Sequence, residues 1–489
     1  MGKKTTSLAK QRDNWGTRIG YLMAAWFAAI GIGNMWRFPF RCAENGGGAF
    51  LLPYLVFILA MSLPSVIFES SGGKYGHSST VDTLGKMSGM RGIGVMMLLL
   101  NMTAGYYIVV VSQSLYWVVQ SAANTFATTA PETVWSNFMA NKPLCFGMFV
   151  ITLILSAIPP YFGIQKGIER VAKWIGGGAF IIIIIGAIRG VTLPGALDGI
   201  IYYLTPNWDV MFTGKTLSNA LSQAYFTFGA GWGWFMILSS YLKREADVGY
   251  GNVNTGFADT SFALLSGFAI IPTLFATGYS SDTIGTLGAS TAYVAMPKVF
   301  MGLQGGYIFS LLFFIALFFA AYSCAYVIIE VIGSFFIDTL HFSRHKGVII
   351  ATLIVFVCGI PTSLSETLLN NLDSFFGSYV LPTVVTLLVI ALGYRFGAER
   401  QRRCVINVFG NGYIGRWASI LFKIFVPIIN IVLMVWNAYS YHSDPNSPWF
   451  MGFAGLGMVL VVTAVVVGAL WKYDRKHNIP WVGMKKEGA

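Results

Sequence analysis

The sequence is short of charge. Asp, Glu, Lys and Arg make up 11% of its 489 residues, whereas a soluble globular protein carries about 25%. Cysteine and histidine are also few, five of each, and neither set has the spacing of a metal site. The fragment nearest to a phosphate loop, MSGMRGIG at 87–94, has no lysine after its last glycine. These shortages argue against a disulfide framework, a metal centre, an ATP-driven pump and an enzyme.

Long apolar runs are what the chain has instead. Hydrophobic residues make up 55% of it, and a bilayer core about 30 Å thick needs roughly 20 apolar residues per helix. Twelve such runs are centred near residues 27, 60, 107, 153, 182, 230, 266, 320, 354, 386, 428 and 460. They do not have the alternating pattern of a membrane barrel. The sequence therefore predicts an all-α membrane protein with twelve transmembrane helices.

Lys and Arg are concentrated in alternate connecting loops. Such loops face the cytoplasm in membrane proteins, which predicts a multi-pass protein of the cell membrane with both termini inside. The net charge of +12 is then a topology signal, and no nucleic-acid partner is expected. The positions on the predicted cytoplasmic side include Lys86, Arg91, Lys166, Arg170, Lys173, Lys243, Arg244, Arg344, Lys346, Lys472 and Lys476.

Two of the spans are interrupted in a similar way. The first contains AAIGIGN at 28–34 and the sixth contains FGAGWGW at 228–234. An offset of five spans reverses the orientation, so spans 1–5 and 6–10 are predicted to be two inverted five-helix repeats, each led by a discontinuous helix. The predicted divisions are a cytoplasmic segment 1–18, a first repeat 19–192, an extracellular loop 193–216, a second repeat 217–396, and spans 11–12 with a tail, 397–489.

An interrupted helix frees backbone N–H and C=O groups that lipid cannot satisfy. Half-helix N-termini can then face an anion, and free carbonyl oxygens can hold a cation. The alternative is that these glycines only allow close helix packing. Because both interruptions fall at matching positions of the two halves, we interpret them as a binding site near the middle of the membrane.

Several motifs resemble the neurotransmitter:sodium symporter family. They are NWGTRIG (14–20), GIGNMWRFPF (31–40), AENGGGAFLLPY (43–54), GYY (105–107) and SQAYFTFGAGWG (222–233). The resemblance extends over essentially all twelve spans. It implies sodium-driven uptake of an amino acid or a related amine by alternating access between the two sides of the lipid bilayer.

The resemblance also assigns residues to the substrate and to one or two sodium ions. The substrate carboxylate is expected at the N–H groups of Ala29 and Gly33 and the Tyr107 hydroxyl, and its amino group near the carbonyls of Phe226 and Thr227. The side-chain pocket is expected to comprise Thr103, Tyr107, Phe226, Gly229, Trp232, Cys324 and Ile328. One sodium is expected at Ala29, Asn34, Thr227 and Asp259, and a second at Phe27, Ile30, Ala320, Ser323 and Cys324.

Gates are implied at both ends of this site. Arg37 and Asp373 match the outer ion pair of the family. Arg12 with Asp338, supported by Trp15 and Tyr241, matches the inner one. From its position, we expect Glu330 to join the inner group, whereas Glu69 is expected to serve mainly in structural hydrogen bonding.

The chain departs from the family pattern at a few positions. Gly31 stands where amine transporters carry an aspartate, which favours a substrate with its own carboxylate. Asp259 replaces an asparagine ligand, and Ala263, one turn on, replaces the serine of chloride-dependent members. Because the carboxylate at 259 can supply the missing negative charge, chloride is not expected to be required. The alternative is that Asp259 is protonated and only forms hydrogen bonds. The thiol of Cys324 is a poor ligand for a hard ion. Either carbonyl oxygens suffice for the second sodium, or this site is weakened.

The leading interpretation is a sodium symporter for a small amino acid or related zwitterion. Trp232 either stacks on a bulky substrate group or fills the pocket and restricts it to small substrates. Two alternatives remain: a transporter of an amine without a carboxylate, and a channel or non-transporting sensor built on the same fold.

Overall fold

The computed structural model describes residues 13–284, 291–302, 305–409, 412–445, 447–477, 479 and 481. These residues form helices joined by short connections, and no β-strand occurs among them. The helices are α1 Arg18–Ala29, α2 Gly33–Glu44, α3 Gly48–Gly76, α4 Thr80–Ser88, α5 Arg91–Ala122, α6 Pro131–Ala140, α7 Lys142–Phe162, α8 Ile164–Val191, α9 Ala196–Leu204, α10 Gly214–Phe228, α11 Trp234–Ser240, α12 Val248–Ala276, α13 Thr291–Met301, α14 Gly306–Thr339, α15 Arg344–Leu364, α16 Glu366–Ile406, α17 Arg416–Ser443 and α18 Phe453–Lys476. Single helical turns lie at Thr125–Ala127, Trp208–Met211, Ser281–Ile284 and Trp449–Met451.

The predicted all-helical membrane fold is confirmed. Ten of the described helices are long and apolar enough to cross a membrane, and α1 with α2 forms an eleventh candidate, a pair bent by 44°. The predicted sixth span corresponds to α10 and α11, which are separated by residues 229–233 and are not among these candidates. By length and hydropathy, the described part of the chain contains ten spans, or eleven with the bent pair, and the count of twelve stays a prediction.

Polar residues set the starts of several helices. Thr17 precedes α1 and accepts a hydrogen bond from the N–H of Gly20 through its hydroxyl oxygen. Asn141, Thr213 and Asp247 cap α7, α10 and α12 in the same way. Each cap satisfies one of the N–H groups that a helix start leaves without a partner.

The first broken span lies at the centre of the bundle. Helix α1 is enclosed by α8, α11, α12 and α14, and Phe27, Ala28 and Ala29 at its end are at most 2% exposed. Helix α5 is also largely enclosed, because 78% of the residues in its 18-residue apolar stretch are buried, compared with 17% for α18. Helix α18 therefore lies at the outside of the bundle. The two interruptions lie deep inside it.

Close approach of α3 to α11 requires a residue without a side chain. A Cβ atom added at Gly73 of α3 would collide with the carbonyl oxygen of Met236 in α11. Small residues at such crossings let helix backbones touch in membrane proteins. The second half of the sixth span is thereby held against the second span.

This packing gives a testable prediction. We expect Gly73→Ala to destabilise the protein by about 1–3 kcal/mol, the usual cost of an overpacked interior, and to lower its apparent melting temperature in detergent. Gly468→Ala on α18 is the control, because a Cβ there has no atom within 4 Å. Equal melting temperatures for the two variants would contradict the packing argument.

Candidate substrate and ion site

The first interruption separates α1 from α2. The backbone turns extended at Ile30 (φ −68°, ψ 92°), and α2 begins at Gly33. The N–H of Gly31 donates to Asn34 Oδ1 at 3.0 Å, and the N–H of Ile32 donates to the Tyr107 hydroxyl at 3.4 Å. These side chains replace the hydrogen bonds that an unbroken helix would have made, as a site surrounded by apolar protein demands.

The second interruption separates α10 from α11. Gly229, Gly231 and Gly233 all have left-handed backbone, with φ of 69°, 85° and 80°, a conformation that costs any other residue free energy. Glu69 Oε2 accepts a hydrogen bond from the N–H of Gly231 at 2.9 Å. This contact agrees with the structural role expected for Glu69.

Three polar side chains meet beside the first interruption. Asn34 Nδ2 donates to Asp259 Oδ1 at 2.7 Å, and the Thr227 hydroxyl donates to the same oxygen at 3.4 Å. Asp259 is fully buried. Its Oδ2 has no hydrogen-bond partner, and no Lys or Arg pairs with it, within the described ranges. A buried carboxylate without a countercharge is costly, so this arrangement fits a bound cation.

The donor set suits sodium, because hard cations prefer oxygen ligands. Asp259 and Thr227 each supply a side-chain oxygen. Ala29 is the last residue of α1, where carbonyl oxygens lose their helical partners. Asn34 holds its Oδ1 towards Gly31 and its Nδ2 towards Asp259, and rotation of the amide exchanges the two atoms. These four residues are the ones that would hold the ion.

The residues predicted for a second sodium also lie together. The Ser323 hydroxyl is 2.6 Å from the Ala320 carbonyl oxygen and 3.3 Å from that of Ile30. The Cys324 thiol lies 3.4 Å from the carbonyl oxygen of Ala28 and 4.0 Å from that of Phe27. The position therefore offers carbonyl oxygens and one hydroxyl, and sulfur stands where a second hydroxyl would complete the set.

Most of the predicted substrate pocket lies between the two interruptions. A Cβ at Gly31 would be 2.6 Å from Cys324 Sγ and 3.1 Å from the Tyr107 hydroxyl. Position 31 therefore has no room for an aspartate with its present neighbours. The Phe226 and Trp232 rings meet edge to face at 6.2 Å. Gly229 is the first residue of the second interruption, and Ile328 is buried on α14, four residues after Cys324.

Thr103 is placed differently from the prediction. Its side chain is exposed, and its hydroxyl bonds the carbonyl of Leu99 in its own helix at 2.8 Å. The reason is a local distortion of α5 at Ala104 (φ −71°, ψ 14°), which changes the rotation of the helix before Tyr107.

Asn101 reaches the site instead, and the sequence prediction missed it. It is fully buried, its Nδ2 donates to the Trp232 carbonyl at 2.7 Å, and its Oδ1 accepts from the Trp234 indole at 2.8 Å. An asparagine in an apolar span, opposite a predicted interruption, was the available signal.

The outer end of the site, defined by Arg37 and Asp373, is closed by one buried guanidinium. Arg37 Nε lies 3.4 Å from Asp373 Oδ2, and its Nη1 donates to Gln223 Oε1 at 2.8 Å. Its guanidinium carbon is 4.7 Å from the centre of the Phe226 ring. Gln223 also donates to the Gly33 carbonyl at 2.9 Å, so it links this closure to the first interruption. The sequence prediction did not include Gln223.

The inner end, defined by Trp15 and Tyr241, is closed by a chain of contacts. The Trp15 indole donates to the Leu238 carbonyl at 2.8 Å. The Tyr241 hydroxyl donates to Glu330 Oε1 at 2.6 Å, and Arg344 donates to Glu330 Oε2 at 2.7 Å. Glu330 therefore belongs to the inner group, as expected.

The predicted inner pair is only partly covered by the structure. Arg12 lies outside the described residues, so its pairing with Asp338 stays a prediction. Asp338 itself lies in the last turn of α14 and is half-buried. Arg344 forms ion pairs at this end within the described part of the chain, one of them with Glu330. Arg344 also lies 3.4 Å from Asp13, the first described residue.

The role of Asn101 gives a second prediction. Asn101→Leu leaves the Trp232 carbonyl and the Trp234 indole without buried partners, at a cost of about 1–3 kcal/mol for each group. We expect faster hydrogen–deuterium exchange in residues 226–240. Thr103→Val is the control, and because its side chain is exposed, exchange should stay at the wild-type rate. Similar exchange in both variants would show that Asn101 does not hold the second interruption.

Comparisons with known proteins agree with this geometry. Two overlapping segments, 12–149 and 138–476, match the model of the sodium:neurotransmitter symporter family. An uncharacterized sodium-dependent transporter of Methanocaldococcus jannaschii is 29% identical over 94% of this chain and 97% of its own length. The sodium-dependent serotonin transporter of Drosophila melanogaster is 25% identical over 88% and 77%.

A solved structure is similar as well. The crystal structure of MhsT in complex with L-phenylalanine superposes with a TM-score of 0.79 and 26% sequence identity, covering 86% of this chain and 99% of MhsT. The relatives are transporters and not enzymes. The helical bundle, the two interrupted spans and the match along nearly the whole chain together assign this protein to the sodium:neurotransmitter symporter family.

Proposed function

We propose that the protein is a secondary active symporter that couples sodium to the uptake of a small amino acid or related zwitterion. The observation that supports it most strongly is the buried Asp259 carboxylate, whose Oδ2 lacks a partner in the described residues, beside Asn34 and Thr227. A bound cation would stabilise this carboxylate in its ionised form, and the freed backbone next to it suits a ligand carboxylate. Ion and substrate would then stabilise each other, which is the basis of their coupling.

The substrate class follows from the space around position 31. A Cβ at Gly31 would already meet Cys324 and the Tyr107 hydroxyl, so position 31 has no volume for an acidic side chain that could pair with a substrate amine. A substrate with its own carboxylate does not need such a side chain. This favours an amino acid or similar zwitterion over an amine without a carboxylate. MhsT, the relative solved with L-phenylalanine, binds a ligand of this class.

Alternating access would use the two closures in turn. Arg37 is 4% exposed and Asp373 13%, so water must reach this pair when the outer end opens. Solvation then offsets much of the lost ion pair. The inner contacts of Trp15, Tyr241 and Glu330 would open in the same way. We further propose that the inner end faces the cytoplasm of the cell, that Arg12 and Asp338 pair there, and that spans 1–5 and 6–10 act as inverted repeats.

Sodium stoichiometry depends on the second position. The Ala320 carbonyl and the Ser323 hydroxyl supply oxygens there, whereas the neutral thiol of Cys324 binds a hard ion poorly. One sodium, at Asn34, Thr227 and Asp259, is thus part of the proposal, and a second ion would rely on carbonyl oxygens.

Sodium-dependent ligand binding is the first test. In a thermal-shift screen of amino acids and amines, at least one amino acid should raise the melting temperature in sodium chloride but not in potassium chloride. A ligand present at about 100 times its dissociation constant adds about 2.7 kcal/mol of stability. Asp259→Ala is the matched variant and should lose the sodium-dependent shift. A screen in which every stabilising ligand acts equally without sodium would contradict the proposal.

Chloride independence is a separate prediction. Uptake into proteoliposomes should be unchanged when gluconate replaces chloride, because Asp259 supplies the negative charge. Asp259→Asn should make uptake chloride-dependent or abolish it. The double variant Asp259→Asn/Ala263→Glu should restore chloride-independent uptake, since position 263 lies one turn further on α12 and is also buried.

A collapse of wild-type uptake in gluconate would overturn chloride independence and leave sodium coupling intact. Failure of the double variant, with Asp259→Asn still folded by its melting temperature, would show that the carboxylate must stand at position 259 itself.

A further inference from the structure

We infer that the start of α8 carries a binding site for an anionic phospholipid. An open groove of about 750 Å³ lies at the inner end of the bundle, where α7 ends and α8 begins. Its lining combines three cations, one acid, one amide and two aromatic rings, namely Lys166, Arg170, Lys173, Glu169, Gln165, Phe162 and Trp174. None of these residues takes part in the substrate or sodium positions.

The cations share one face of the helix. Lys166, Arg170 and Lys173 are exposed, whereas Gly167, Ile168 and Ala172 between them are buried. Helical residues three or four apart lie side by side on the surface. The three positive charges therefore form one row along the groove.

Two of these charges have no carboxylate partner in the described part of the chain. Lys173 pairs with Glu169 at 2.6 Å, but no ion pair involves Lys166 or Arg170 there. Glu169 is only 4% exposed and accepts hydrogen bonds from the N–H of Gly16 and the hydroxyl of Thr17. The single acid is thus already neutralised, and an anion entering the groove meets two free cations.

Two exposed aromatic rings flank the cations. Trp174 is 80% exposed and Phe162 is 62% exposed. Exposed aromatic rings beside cations are typical of the lipid headgroup region. Basic pockets at this depth between transmembrane helices bind anionic headgroups.

Open space that an acyl chain could occupy lies further along the exposed face of α8. Gly177 follows on the same exposed face, and a Cβ there has no atom within 4 Å. Trp174 and the 61% exposed Ile181 stand on either side of this gap along the helix. The phosphate would lie at Lys166 and Arg170, and one chain would follow α8 past Gly177. The bound lipid would then sit next to Glu169, which holds the segment that leads into α1.

Native mass spectrometry of the delipidated full-length protein tests this site. Phosphatidylglycerol and phosphatidylcholine are titrated into wild type and Lys166→Gln/Arg170→Gln. Since each Lys or Arg near an anionic surface contributes about a factor of five, the double variant should bind phosphatidylglycerol about 25-fold more weakly. Its weak binding of phosphatidylcholine should not change.

Two further variants distinguish a specific lipid-binding site from general electrostatic attraction of anionic lipid to the basic surface. Lys472→Gln/Lys476→Gln on α18 removes the same charge with the same spacing from exposed positions, and it should leave phosphatidylglycerol binding at the wild-type level. Gly177→Leu fills the open space without a clash and should cause a partial loss. An equal loss in the two double variants would overturn the proposal.

A final measurement uses inorganic phosphate alone and compares the melting temperatures of wild type and Lys166→Gln/Arg170→Gln. If phosphate stabilises wild type more than the double variant, and by as much as phosphatidylglycerol does, the groove binds a soluble anion and the lipid assignment is wrong. Sodium-dependent substrate binding is measured on the same samples, so failure of the lipid site and failure of the proposed transport function are distinguishable.

Discussion

The structure depends on one constraint: a peptide group inside a membrane protein needs a hydrogen-bond partner even where the helix stops. At the first interruption, Asn34, Tyr107 and Gln223 supply partners to Gly31, Ile32 and Gly33. At the second, Glu69 and Asn101 supply them to Gly231 and Trp232. These polar side chains come from α2, α3, α5 and α10. The interruptions are thus possible only because several neighbouring helices meet there.

The same constraint explains which parts of the molecule sequence reasoning can predict. Apolar length and glycine punctuation are local signals, and they located the membrane helices and both interruptions. Resemblance to a family added residues such as Asn34, Asp259, Ser323 and Arg37, whose side chains do lie at the two interruptions or at the outer closure. What these signals lack is the rotation of one helix against the next.

Helix rotation is where the sequence prediction was less successful. A distortion at Ala104 turns Thr103 outward and leaves Asn101 facing Trp232. The family resemblance assigned Thr103 to the pocket by its position in the sequence alone, and sequence position does not show how this distortion turns the helix. The count of twelve spans met a related difficulty, because α10 and the 7-residue α11 are separated by a break that contains three left-handed glycines.

The break between α1 and α2 has a mechanical consequence. Trp15 closes one end of the site from the residues before α1, and Arg37 closes the other end from α2. In an unbroken helix, tilting one end would displace the other end as well, so the inner and outer closures would move together. A break at residues 30–32 would let either half-helix tilt while the other half keeps its contacts. If the proposed ligands bind at these residues, the same short segment would act as hinge and binding site, and the bound ligand would affect how easily the hinge bends.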